Sequence, residues 1–172
     1  TICNSNVATT WINWNKKDSV MSWVEYFRNI AEKVKEKSKD ERTQIGAVIV
    51  GKDKEIVSTG YNSFPRGIND NKPKRQEKPE KYYWFEHAER NAIYNAARIG
   101  VSTKGCTMYL TCGVPCADCA RGIINAGIER IFVTRYSRGA KSQKWLDSAE
   151  RSLEMFDEAG VNVQWYDEVS II

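Results

Sequence analysis

Apolar residues recur at three- and four-residue spacings between Ser19 and Lys39, at Val20, Met21, Val24, Phe27, Ile30, Ala31 and Val34. Side chains so spaced share one face of a helix, and the stretch therefore predicts an amphipathic helix with Asp18 or Ser19 placed to cap it. The period then changes. AVIVG at 47 to 51 and EIVSTGYN at 55 to 62 are β-branched runs on either side of the polar turn Lys52-Asp53-Lys54, which predicts an antiparallel hairpin. From Pro65 to Lys81 three prolines and many Lys, Arg, Asn and Asp residues carry no apolar period, so one long loop is expected there. Loops of that length are often functional.

Helix formers return at Phe85 to Ile99, with apolar positions at Ala88, Ala92, Ile93, Ala96 and Ala97 and a stop at Gly100. TMYL at 107 to 110 reads as a buried strand, and Pro115 opens a helix through Ala126 that Gly127 closes, with proline at the tolerated first turn. Arg130 to Thr134 is the next strand. A further helix at about 142 to 159 carries Trp145, Leu146, Ala149, Leu153 and Phe156 on one face, ends at Gly160, and leads into a strand, VNVQWY, at 161 to 166. A hairpin followed by alternating strands and helices implies an α/β fold, a mixed sheet covered on both faces. The strand-helix-strand from Met108 to Thr134 should form a right-handed parallel crossover.

Length and composition narrow this little. At 172 residues the chain suits a single domain, with residues 1–17 peripheral to it, and 41% hydrophobic and 11% aromatic residues suit a folded globular protein. No apolar run approaches the roughly 20 residues of a membrane span. Thr1 to Asn15 lacks the basic start and apolar run of a secretory signal, so a cytoplasmic location is expected. The net charge of +4 suits an anionic ligand and an ordinary soluble protein equally well.

The cysteines change the picture more. Four of the five, at 106, 112, 116 and 119, fall within fourteen residues, and in a reducing compartment such a cluster points to metal or catalysis. His87-Ala88-Glu89 begins one predicted helix and Pro115-Cys116-Ala117-Asp118-Cys119 begins the next. Cys116 and Cys119, three apart, share a helix face and can bind one ion, and helix N-termini favour thiolates. With His87 as third ligand, a tetrahedral zinc keeps one position open for water, whose pKa falls from 15.7 to roughly 7, worth ~12 kcal/mol of easier hydroxide formation. Glu89 is turned away from the ligand face and is the candidate proton shuttle. A bare C-x-x-C also suits a redox pair, and a fourth ligand from Cys112 or Cys106 would make the zinc structural.

H-x-E followed by P-C-x-x-C is the signature of zinc deaminases. On these residues, and on TQIGAVIV at 43 to 50, GYNSFPRG at 60 to 67 and HAERNAIYNAA at 87 to 97, the chain resembles the cytidine deaminase superfamily, and more closely its deoxycytidylate deaminase branch, over roughly Val20 to Thr134. The resemblance implies a three-layer α/β/α sandwich with a mixed five-stranded sheet and one catalytic Zn2+ per chain. It also implies hydrolytic attack at carbon 4 of dCMP, with Glu89 carrying protons to ring nitrogen 3 and the leaving ammonia, to give dUMP for thymidylate synthesis.

For the substrate, Asn62 matches the family's sugar-binding asparagine, its other reading being an Asx turn. Ala88 and Pro115 flank the motifs. Arg42, Arg66 and Arg90 are candidates for the monophosphate, and each also reads as an ordinary surface charge. Ser63 stands where the family usually has glycine after Gly-Tyr-Asn. The branch is commonly oligomeric, hexamers included, and is activated by dCTP and inhibited by dTTP, bound with Mg2+. Asn62, Ser63, Phe64 and Arg66, with the basic loop, are the corresponding candidates here. A polynucleotide deaminase acting on tRNA adenosine or DNA cytidine, or a non-catalytic zinc module, are the competing readings, although the extra motifs favour a free nucleotide over nucleic acid.

Overall fold

The structure, a computed structural model, describes residues 20–135 and 142–168; the peripheral segment 1–17 and the capping candidates Asp18 and Ser19 lie outside them. Its elements are α1 (Trp23–Lys35), β1 (Gly46–Val50), β2 (Ile56–Tyr61), a 3-10 turn (Pro73–Gln76), α2 (Lys81–Trp84), α3 (Ala88–Ile99), β3 (Thr107–Leu110), α4 (Ala117–Asn125), β4 (Arg130–Val133), α5 (Gln143–Ala159) and β5 (Asn162–Trp165). The strands form one mixed sheet in the order β2-β1-β3-β4-β5. β1 runs antiparallel to β2 and β3, whereas β3, β4 and β5 are parallel.

The side-chain period of two divides the core. Val48 and Val50 face α1, packing with Phe27, Ala31, Tyr109 and Phe132. Ala47 and Ile49 face the layer of α3, α4 and α5, where Ala88, Ala92, Ile123 and Phe156 meet Met108, Leu110, Ile131 and Val133. β1, covered on both faces, is buried throughout, which is why its apolar run shows no alternation. The result is the three-layer α/β/α sandwich with a five-stranded mixed sheet. No helix among the described residues is long and apolar enough to cross a membrane.

Several boundaries differ from the pattern reading. α1 starts later than Ser19, because Ser22 Oγ accepts the Glu25 N–H at 3.2 Å. Ser22 and Glu25 have the S-x-x-E spacing of a capping box, and Val20, 94% exposed, falls outside the buried stripe. The segment 65–81 is not wholly irregular: Pro73 starts a 3-10 turn and α2 begins at Lys81. Arg75 stacks on Trp84, its guanidinium carbon 3.7 Å from the ring centroid, so the segment folds back on itself. On α5 the buried stripe is Ala149, Ser152 and Phe156, while Leu146 and Leu153 are exposed. The inward face carries two serines, of which Ser148 meets α4. Ser148 Oγ accepts the Ala117 N–H at 2.9 Å, and Ser152 Oγ donates to the Ser148 carbonyl at 2.9 Å.

What sets the position of α3 is its seat on β2. A side chain at Gly60 would strike the backbone of Ala88 and Ala92, so glycine permits the close approach. Three hydrogen bonds fix the register: Ser58 Oγ donates to the Ala92 carbonyl (2.7 Å), Asn95 Nδ2 to the Thr59 carbonyl (2.6 Å) and Asn91 Nδ2 to the Tyr61 carbonyl (2.8 Å). The N-terminus of α3 is thereby held beside that of α4.

Candidate metal centre and active-site cavity

His87 and Cys116 occupy the N-cap positions of α3 and α4, with extended backbones at φ −77° and −67°. An N-cap side chain ordinarily accepts a hydrogen bond from the first turn. Neither does so here, and each is left to point across the gap between the helices. Cys119, in the first turn of α4, is fully buried. His87 Nδ1 lies 3.5 Å from Cys116 Sγ and 3.4 Å from Cys119 Sγ, and the three ligand atoms are within 4.8 Å of one another.

Tetrahedral zinc with bonds of about 2.0–2.1 Å to nitrogen and about 2.3 Å to sulfur sets an N···S separation of about 3.5 Å, so these residues fit the ion. Among the described residues no fourth His, Cys, Asp or Glu joins the group. Cys106 is buried in the core, where burial pushes its thiol pKa up, and Cys112 borders the neighbouring cavity without entering the cluster. The thiol charge is already prepared. Hydrogen bonding from Cys119, helped by His87, lowers the Cys116 pKa to about 4. The proton shared by the two sulfurs stays with Cys119, and the bond to Cys116 raises the pKa of His87. A divalent ion held by His87, Cys116 and Cys119 would take the place of these protons.

The cap that Cys116 forgoes is supplied by α5, since Ser148 takes the Ala117 N–H. Ser148→Ala is expected to cost about 1 kcal/mol in melting experiments, the ordinary value of a helix cap. If Ser148 also positions the ligands, the variant releases zinc to a competing dye faster than wild type. Unchanged release alongside a lower melting temperature would leave it a structural cap only.

Glu89 stands one residue inside α3, only 3% exposed, and burial raises the pKa of its carboxyl group. One of its oxygens, Oε2, has no hydrogen-bond partner among protein groups. A buried acceptor without a partner is costly, and its persistence points to a guest. That guest has a place: Glu89 and His87 open into a cavity of about 160 Å3 bordered also by Asn62, Lys81, Pro115 and Trp145.

The structure brings some expected substrate residues here and not others. Asn62 lines the cavity, yet its amide is used within the fold, donating to Asp40 Oδ2 (3.1 Å) and the Thr43 carbonyl (2.7 Å) and accepting the Ile45 N–H (2.8 Å). Ala88 does not line the cavity and is buried in the core. None of the three arginines lines the cavity. Arg90 is paired with Glu86, Arg42 borders a separate hollow, and Arg66 donates to Asn95 Oδ1 at 2.7 Å. Arg66 also borders a second cavity of about 270 Å3 together with Ser63 and Phe64. The cations on the active-site cavity are Lys78 and Lys81. Lys81 Nζ lies 2.5 Å from Asp40 Oδ2, and Asp40 is buried. The pattern reading missed both lysines because they sit in the segment it treated as irregular; their i, i+3 spacing just before His87 was the available signal.

A family model for the cytidine and deoxycytidylate deaminase zinc-binding region matches residues 21–135. Deoxycytidylate deaminase of Pongo abelii is 36% identical over 157 residues, covering 87% of this chain and 83% of that one, and the Homo sapiens protein of the same name is 35% identical with the same coverage. A deaminase of Aliivibrio fischeri encoded in the luxG 3' region is 38% identical over 85% of this chain and 95% of its own. Among solved structures, dCMP deaminase from the cyanophage S-TIM5 in apo form superposes with a TM-score of 0.64 at 25% identity, over 83% of this chain and 95% of that one.

Proposed function

Because the chain belongs to the cytidine and deoxycytidylate deaminase family, we propose that it is a zinc-dependent hydrolase converting dCMP and water to dUMP and ammonia. The observation that carries this reading is the unpartnered Glu89 oxygen, opening into one cavity with the ligand triad. Its similarity to deoxycytidylate deaminases over most of its length supports the substrate.

Held by His87, Cys116 and Cys119, zinc supplies Lewis-acid activation of water at neutral pH. The protein's part is to move protons. Glu89 Oε2 accepts a proton from water as its oxygen adds to carbon 4 of the pyrimidine. It passes that proton to ring nitrogen 3, then takes the second water proton from the new hydroxyl on carbon 4 and gives it to the amino group, so that C–N breaks and ammonia leaves as the C–O bond becomes a carbonyl. Burial raises the carboxyl pKa above its ordinary value, which favours its holding a proton between the two transfers.

The phosphate falls to Lys78 and Lys81 in this reading. Lys81 is held by Asp40, while the Lys78 ammonium, 5.7 Å from the Tyr82 ring centroid, lies in an exposed side chain at the cavity edge. Lys78→Ala should lower kcat/KM for dCMP by about 10-fold, the scale of one hydrogen bond to a charged group, and leave deoxycytidine turnover unchanged. An equal loss on both substrates would remove Lys78 from phosphate recognition. Ammonia release measured with dCMP, deoxycytidine, dCTP and a single-stranded oligonucleotide tests the reading as a whole. Turnover confined to the oligonucleotide would overturn it.

Regulation belongs to the same reading, with dCTP activating and dTTP inhibiting, each triphosphate bringing Mg2+ on its phosphates. Its support is the second cavity, where Lys37 and Arg66 stand with the Lys39–Asp70 ion pair beside Ser63 and Phe64. Asn62, next in sequence, faces the active-site cavity instead and would connect the two. Titrating each triphosphate against the dCMP rate should give effects of opposite sign. A homo-oligomer, hexameric by family resemblance, and a cytoplasmic role supplying dUMP for thymidylate complete the proposal.

A further inference from the structure

Asp40 is 3% exposed in the loop between α1 and β1, and a carboxylate so deeply buried needs partners for both oxygens. Oδ1 accepts the N–H groups of Arg42 (2.9 Å) and Thr43 (3.0 Å), a turn that aspartate makes with the backbone just ahead of it. That task needs no charge, and asparagine performs it too. Oδ2 has a different one. It accepts from Asn62 Nδ2 at 3.1 Å and meets Lys81 Nζ at 2.5 Å, so one oxygen joins the residue after β2 to the start of α2. Asp40, Asn62 and Lys81 all border the active-site cavity. The Lys81 side chain is only 13% exposed, and Asp40 is its one acidic partner among the described residues. Phe85 covers another side of the ammonium, its ring centroid 5.2 Å from Nζ.

We propose that Asp40 is a positioning residue for recognition of the substrate's phosphate: through Oδ2 it holds the Lys81 ammonium at the cavity that Glu89 also borders. The proposal rests on the dCMP reading above and on the phosphate role that reading gives Lys81. Lysine carries its charge on a flexible four-carbon stem, and an unpaired ammonium turns to water. Fixed at Asp40, the same ammonium keeps one direction. Two effects compete here, since the carboxylate repels an incoming phosphate and also fixes the cation that the phosphate meets. Its charge is spread over four donors, two of them backbone N–H groups. Without it, an ammonium in a largely buried place has no counter-charge and leaves for solvent. Position is therefore the larger effect, and loss of the carboxylate weakens the hold on the phosphate.

The test assays the zinc-loaded protein with dCMP and with deoxycytidine, and reads the ratio of the two kcat/KM values. Damage to the fold or to the chemistry lowers both alike and leaves the ratio where it was. Asp40→Asn keeps the turn made by Oδ1 but presents N–H groups to Asn62 and Lys81. It is expected to lower the ratio about 10-fold, chiefly through KM for dCMP, and Lys81→Met should do the same, the scale of one hydrogen bond to a charged group. The double variant should match Lys81→Met within about twofold, because the residue through which Asp40 acts is already gone. If Asp40→Asn does not fold, Asp40→Ser carries the test, since its hydroxyl can accept a turn N–H and leaves Lys81 without a carboxylate. An unchanged ratio, a lower KM for dCMP, or losses that multiply in the double variant would each overturn the proposal. Failure of the reading beneath it looks different: wild type then turns over no dCMP, or Lys81→Met alone keeps the wild-type ratio, and the positioning role falls with it.

Discussion

Glu89→Gln is expected to lower kcat for dCMP by about 10²- to 10⁴-fold, the range of a lost general acid–base group, while zinc remains at one per chain. The substitution keeps shape and volume in a site that is 3% exposed, so packing against α3 and its neighbours survives. What disappears is the ability to accept a proton at Oε2, the oxygen without a protein partner. Glu89 does not belong to the cluster of ligand atoms, so metal content should be indifferent to the change. Ammonia release and metal analysis on the same preparation check both halves. Normal turnover would remove Glu89 from the mechanism, and loss of zinc would make it part of the ligand sphere.

Removing the metal should show in stability as well as in rate. If zinc is present at about 1,000 times its dissociation constant, stripping it withdraws about 4 kcal/mol from the folded state. For a chain of this size that corresponds to a fall of about 8–16 °C in melting temperature. Cys119→Ser, lacking one of two thiolates, should melt near the chelated wild type and respond weakly to added zinc. Thermal melts with and without chelator decide the matter. A melting temperature indifferent to chelation would mean that the three residues do not hold an ion in the folded protein.

The readable parts of this fold were those written locally. Gly100 and Gly160 end α3 and α5 in left-handed conformations at φ 77° and 71°, where glycine carries no Cβ penalty, and both stops were predicted. The apolar run of β1 and the hairpin with β2 were likewise visible in residue order. So were the three ligand candidates, because each sits in a short motif at a helix start and the structure places their ligand atoms together. The start of α1 was misplaced because Ser19 and Ser22 are both capping residues, and the choice fell to the one with Glu25 three positions on.

Side-chain destinations were harder to read. Arg66 and Arg90 have ordinary partners, Asn95 and Glu86, brought to them by folding, and only the fold shows that Lys78 and Lys81 face the cavity instead. Leu146 and Leu153 repeat at helical spacing, yet Ser148 is bonded to α4 and Ser152 is buried in their place, through hydrogen bonds no apolar period encodes. Asn62 satisfies a structural role so fully that its motif position alone could not assign its function.

His87 is 29 residues from Cys116 and 32 from Cys119 along the chain. An ion bound by all three closes a loop of that length in any state that keeps its ligands. By the arithmetic used for a disulfide, such a closure removes about 3.6 kcal/mol of chain entropy from an unfolded ensemble that keeps the ion. An ion held by these residues would thus act as a reversible cross-link, set and released by metal supply rather than by oxidants.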